Sequence, residues 1–328
     1  MLNSVYIQAG ETDRVFMSQS LKASELLLKN ISQIIHGKDE TIKLLLTAWL
    51  SGGHLLIEDN PGTGKTLLAK TVAKSVGAEF GRVQFTPDLL PSDITGTTIY
   101  DEQSRQFQFS RGPIFSTILL ADEINRATPR TQAALLEAMA EGQVTVDKES
   151  YKLHPEFFVV ATQNPVEQHG TFPLPEAQLD RFTMKISMGY PSRESEMNIL
   201  LGRMTSDPFQ KLQSVLKIEH ITEIKKAVSE VKLSEATLKY ILDVVEKTRS
   251  HPDLSLPASP RASLSLMKTS QAWSFLSGED FVRPGTIYKL LQPVIEHRIS
   301  QTKESKFQGK KKSEILKEIL DKVKVPTK

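Results

Sequence analysis

The stretch Glu58-Asp59-Asn60-Pro61-Gly62-Thr63-Gly64-Lys65-Thr66 constrains this chain more than any other part of it. A strand-length apolar run at 54–58 precedes it, and a helical pattern with Leu67, Leu68, Val72 and Val76 follows. A glycine loop in that setting points its backbone N–H groups at one spot, beside the positive end of a helix dipole. Phosphate oxygens fit there. Asn60, Pro61, Gly62, Thr63, Gly64 and Leu67 would surround the nucleotide, Lys65 would reach the β- and γ-phosphates, and the Thr66 hydroxyl would ligate Mg²⁺. The general pattern opens with Gly, and Asp59 stands in that place. The plainer alternative is a glycine-containing strand-to-helix turn, which the Gly-x-Gly-Lys-Thr pattern in this setting opposes.

The rest of the chain agrees with an α/β reading. Short runs at 54–58, 82–85, 118–121, 157–161 and 185–188 have strand length, and the third and fourth are apolar throughout, as strands buried on both faces are. Helical stretches fill the gaps, so the pattern predicts βαβ units and a mostly parallel sheet flanked by helices. After Pro191-Ser192 the apolar stretches lengthen into helices at 193–203, 221–231, 235–248, 262–276, 286–299 and 313–323, with no convincing strand between them. The predicted organisation is a polar leader or a short surface helix at 1–23, an α/β domain at 24–190 and an all-helical domain at 191–328. The segment 303–312, with Lys310-Lys311-Lys312, reads as a solvated loop.

Three further groups bear on chemistry. The apolar run Ile118-Leu119-Leu120-Ala121 ends in Asp122 and Glu123. At a strand tip beside a phosphate loop, Asp122 suits Mg²⁺ through its water shell, and Glu123 suits a base for the attacking water. Asn164 follows another apolar run and could bind a γ-phosphate or a water; before Pro165 it could equally start a turn. Arg181 lies just before the last predicted strand. Arg261 follows Ser259 and Pro260, which read as N-cap and first helical residue. A cation in a first helical turn opposes the dipole unless an anion offsets it. From the residues alone, a surface ion pair is the simpler reading of both arginines.

Composition removes several alternatives. Zero cysteines exclude disulfides, thiolate metal sites and cysteine nucleophiles. With 41 Lys and Arg against 39 Asp and Glu, the net charge of +2 gives no argument for broad nucleic-acid or membrane binding. No apolar run approaches the ~18 residues of a membrane span, and the first residues carry no secretory signal, so a cytoplasmic chain is expected. The seven histidines show no close pairing of metal-ligand type.

Four stretches resemble the MoxR family of AAA+ ATPases. They are Gln84-Phe85-Thr86-Pro87-Asp88-Leu89-Leu90-Pro91-Ser92-Asp93-Ile94-Thr95-Gly96, Leu120-Ala121-Asp122-Glu123-Ile124-Asn125-Arg126-Ala127, Pro173-Leu174-Pro175-Glu176-Ala177-Gln178-Leu179-Asp180-Arg181-Phe182 and Ala258-Ser259-Pro260-Arg261-Ala262. The resemblance spans roughly 30–328, and the family accepts Asp at position 59. It implies an AAA+ core with a helical lid, in which Lys65 and Thr66 are Walker A residues and Asp122 and Glu123 the Walker B pair. It makes Asn164 sensor 1, Arg261 a sensor 2 contributed from the lid, and Arg181 an arginine finger for a neighbouring subunit. It also implies that Ile35, His36 and Gly37 line an adenine pocket, and that hairpins inserted near 96–112 and 142–153 face a ring pore or a substrate. The expected cofactors are ATP and Mg²⁺. The expected partners are copies of the chain in a hexameric ring and proteins with von Willebrand factor A domains. A nucleic-acid motor of a related clade is the second reading, opposed by the near-neutral charge. Intact Glu123 opposes a scaffold without turnover, and the lack of an Asn-Lys-x-Asp segment opposes a GTPase.

Overall fold

The computed structural model describes residues 11–165, 170–204 and 207–326. Helices α1 (Glu11–Ser32) and α2 (Asp39–Leu50) precede strand β1 (Leu55–Glu58) and helix α3 (Lys65–Ser75). Strand β2 (Phe80–Gln84) leads through the short α4 (Pro91–Thr95) to a hairpin, β3 (Gly96–Asp101) and β4 (Gln106–Arg111). Next come β5 (Ile118–Asp122), α5 (Pro129–Glu141) and a second hairpin, β6 (Gln143–Val146) and β7 (Glu149–Lys152). Strand β8 (Phe158–Gln163), the single turn α6 (Glu176–Leu179) and β9 (Met184–Ile186) close this half.

The five strands predicted from the sequence form one sheet in the order β2-β5-β8-β1-β9, parallel throughout. Its side chains alternate between two cores, as the pleat requires. Leu55, Ile57, Leu120 and Val160 face α1, α2, α3 and the C-terminal helices, while Leu56, Leu119, Val159 and Ala161 face α5 and the hairpins. The order puts β8 between β5 and β1, so the carboxyl ends of three strands lie side by side, about 5 Å apart.

The second half contains α7 (Arg193–Arg203), α8 (Pro208–Lys211), α9 (Ile218–Ser229), α10 (Glu235–Arg249), β10 (Leu254–Leu256), α11 (Pro260–Leu276), α12 (Pro284–Ile295), β11 (Ser300–Gln301), α13 (Lys303–Phe307) and α14 (Lys312–Lys322). It is helical as expected, except that β10 and β11 pair as a two-stranded antiparallel ribbon. Two- and three-residue strands carry no periodicity to read.

Two other expectations are corrected. Helix α1 starts at Glu11 and crosses the proposed 23/24 boundary without a break, with Phe16, Met17 and Leu21 packed on the core. Residues 1–10 of the proposed leader lie outside the described residues. The segment 303–312 is not a solvated loop: α13 occupies its first half, Lys310 pairs with Asp253 (2.8 Å) and Glu318 (2.6 Å), and the half-buried Lys312 donates to the Glu296 carbonyl. The same cluster brings His251 close to Asp253 and Glu318, where the Lys310 ammonium is the cation between the carboxylates. Among the described residues, no helix is long and apolar enough to cross a membrane.

Candidate active site

The glycine loop joins β1 to α3 as the sequence predicts. Gly62 (φ +82°) and Gly64 (φ +91°) adopt left-handed conformations. A Cβ at either would meet open space, so backbone conformation, not crowding, makes glycine the suitable residue. The Lys65 ammonium folds back onto the loop, donating to the Asp59 (3.0 Å) and Asn60 (2.7 Å) carbonyls, and the Thr63 hydroxyl donates to the Asn60 carbonyl.

Pro61, Gly62, Thr63, Gly64, Lys65, Thr66 and Leu67 line a polar cleft together with Asp122, Glu123 and Asn164. This is the crevice beyond the carboxyl ends of β1, β8 and β5, where open parallel sheets bind ligands. A second, apolar cleft shares Gly62, Thr63, Gly64 and Leu67 with it and continues past Ile35, His36, Met188, Ile199 and Phe209. A phosphate-sized polar end and a base-sized apolar end therefore adjoin. Gly37 does not line the apolar cleft. Its place is against α7, where a Cβ would fall 2.1 Å from the Ser195 hydroxyl.

The acidic pair has definite partners. Asp122 accepts from Thr162 Oγ1 (2.6 Å) and pairs with Arg82 (2.9 Å). Glu123 sits in the left-handed region (φ +57°), and its carboxylate accepts from Gln84 Nε2 (2.9 Å) and Arg126 (2.9 Å). A non-glycine residue at positive φ costs free energy and tends to mark a functional site. The Thr66 hydroxyl and the Asp122 carboxylate are hard oxygen donors of the kind Mg²⁺ takes. With both oxygens of Asp122 already engaged, contact through bound water is the arrangement that fits.

The sequence left Asp59 as a mere departure from pattern, and the structure gives it a task. Its buried carboxylate accepts from the backbone N–H of Met188 (2.8 Å), Gly189 (2.6 Å) and Asn60 (2.9 Å). Lys38 grips the same segment from the other side, donating to the Tyr190 carbonyl (2.8 Å). The first residue of the phosphate loop is thus bonded to the segment that joins β9 to α7. Asp59→Ala removes the acceptor of three backbone N–H groups, at a cost of about 1–3 kcal/mol for each that stays buried and unpaired. Both the melting temperature and ATP affinity are expected to fall; an unchanged melting temperature would contradict this role.

The two arginines lie elsewhere. Arg181 and Arg261 line a common cleft with His54, Thr183, Lys268 and Arg298. His54 and Thr183 immediately precede β1 and β9, so this cleft opens at the amino ends of the strands, whereas the phosphate loop lies beyond their carboxyl ends. A strand of about five residues separates the two by roughly 16 Å. In this structure Arg261, expected as a sensor 2 contributed from the lid, stands away from the phosphate loop of its own chain. Helix α11 starts at Pro260 with Ser259 as N-cap residue, as predicted, but it packs along α2 and directs its first turn to the far edge of the sheet. Arg181 donates to the Leu136 carbonyl at 2.5 Å. Burial holds His54 down at about 4, so it is a neutral imidazole that accepts from Val159 N–H and donates to the Met139 carbonyl.

A parallel five-stranded sheet with a glycine loop, an acidic strand tip and a helical second half defines a P-loop nucleotide-binding fold. The family of ATPases associated with various cellular activities (AAA) matches residues 54–184, and the AAA lid domain matches 246–319. The chain is 39% identical to the chaperone MoxR1 of Mycobacterium tuberculosis over 85% of its own length and 76% of that protein. It is 47% identical to the uncharacterized protein YeaC of Bacillus subtilis, over 91% and 93% of the two chains. A crystal structure from Cytophaga hutchinsonii that carries an ATPase assignment superposes with a TM-score of 0.90 at 36% identity, over 97% and 99% of the chains. The chain belongs to the MoxR family of AAA+ ATPases.

Proposed function

We propose that this protein hydrolyses ATP with Mg²⁺ at a site completed by a second copy of itself, and uses the reaction to remodel or mature partner proteins. Lys65 and the loop amides hold the phosphates, and Ile35 and His36 flank the base. Thr66 and, through water, Asp122 hold the metal, which supplies charge neutralisation at the β- and γ-phosphates. Glu123 takes the proton of the attacking water and Asn164 orients it. Arg181 and Arg261 of one subunit serve the nucleotide of the next.

The observation that carries this reading is the separation of the arginine cleft from the phosphate loop within one chain. Two arginines at one edge and a phosphate site at the other are complementary halves for head-to-tail copies, and a heterologous contact of that kind forms a ring when the rotation between copies closes. Six subunits are the ring size we propose, by analogy with the family. Clients with von Willebrand factor A domains are proposed on the same ground, and the relative named a chaperone supports a protein substrate. The direct test is release of phosphate from ATP with Mg²⁺, with GTP and chelated metal as controls. Turnover with ATP and Mg²⁺ alone, lost in Lys65→Ala, is the expected result; turnover that survives Lys65→Ala would overturn the reading.

A further inference from the structure

Arg298 follows α12 in the helical half, is 3% exposed, and spends its guanidinium on both domains. Nε donates to Asp180 Oδ1 (2.8 Å), and the terminal nitrogens donate to the carbonyls of Phe182 (2.8 Å) and Thr183 (3.1 Å) and to Ser265 Oγ (3.0 Å). Asp180 is shared in turn: its Oδ2 accepts from the Ser259 hydroxyl at 3.2 Å. Ser259 is the N-cap residue of α11 yet makes no side-chain cap bond, so its hydroxyl is committed to Asp180. One carboxylate is thereby next in chain to Arg181 and hydrogen-bonded two residues before Arg261.

We propose that Asp180 and Arg298 are positioning residues for the reaction, locking Arg181 and Arg261 into one rigid pair that is presented together to a neighbouring subunit. The proposal rests on the reading above that these arginines act between copies. A buried ion pair is a poor device for stability alone, because desolvation offsets its attraction and an apolar pair would serve as well. A planar fork with five donors does supply fixed geometry, which an ammonium cannot. Burial lowers the Arg298 pKa to about 10, which leaves it charged at neutral pH.

Mixed assemblies of Arg298→Lys chains provide the test. A misplaced arginine pair predicts a loss of turnover of about 10²-fold in the pure variant, with ATP binding intact. Mixing with Lys65→Ala chains, which still present a well-placed pair, should restore turnover at the variant's own phosphate loop. Mixing with Arg181→Ala chains should not. Full turnover in pure Arg298→Lys overturns the proposal, and so does the same outcome with both partners: equal restoration would mean that the pair is still well placed, and no restoration with either would mean that Arg298 is a structural staple whose loss impairs both roles alike. A control mixture of Arg181→Ala with Lys65→Ala must itself recover; if it fails in verified mixed assemblies, the intersubunit reading falls and takes the proposal with it. If Arg298→Lys lacks a native circular dichroism spectrum, Ser259→Ala combined with Ser265→Ala keeps the ion pair and removes its bonds to α11. The same asymmetry is then expected, and its absence overturns the proposal.

Discussion

Glu123→Gln is expected to keep ATP bound while lowering turnover by about 10²–10⁴, the usual contribution of a positioned base. Glutamine preserves the size of the side chain but cannot take a proton from water. The backbone would be undisturbed, because the Glu123 N–H bond to Thr162 Oγ1 (2.8 Å) does not involve the side chain. The two carboxylates line one cleft but have separate partners, Thr162 and Arg82 for Asp122 and Gln84 and Arg126 for Glu123, which leaves them free to take the separate roles proposed for them. The variant should saturate with ATP and accumulate it unhydrolysed in a single-turnover experiment. Hydrolysis at the native rate would remove Glu123 from the role of base.

The second large effect is expected for Arg181→Ala. Charge neutralisation by an arginine contributes about 10³–10⁵ in rate where a partner protein supplies it to a GTPase. Arg181 lines the cleft at the amino ends of the strands, not the phosphate cleft, and donates to the Leu136 carbonyl within α5. Its removal should therefore spare ATP binding to isolated subunits and remove the activity that depends on assembly. Recovery on mixing with Lys65→Ala chains is the signature of action between copies. A variant with full activity would return Arg181 to the status of a surface cation.

Much of this arrangement was legible in the sequence, and the misses have physical causes. The five strands and the glycine loop follow from local pattern: apolar runs of strand length, turn residues between them, and a helix after Gly64. Asp122 and Glu123 were readable for the same reason, because a strand end fixes where its last side chains stand. The 96–112 and 142–153 hairpins were expected from the resemblance and from alternation, and both form. Arg261 shows the limit. Its place in the first turn of α11 is local information, but the edge of the sheet to which that turn points depends on how α11 packs on α2, over 200 residues earlier in the chain. The same holds for Asp59, whose partners Met188 and Gly189 come from the opposite end of the α/β half, and for Arg298, which no motif marks. Helix α1 extended past the expected boundary because small polar residues, Ser20 and Ser24, are buried where it packs, and a hydrophobic pattern does not register them.

The central claim is that one chain holds only part of an active site. It is tested most directly by the ATP hydrolysis rate per subunit as a function of protein concentration, with assembly followed by light scattering. The account predicts a rate that rises steeply as copies associate and then reaches a plateau. A rate per subunit that stays constant across the assembly range would contradict it, and would make each chain a self-contained ATPase.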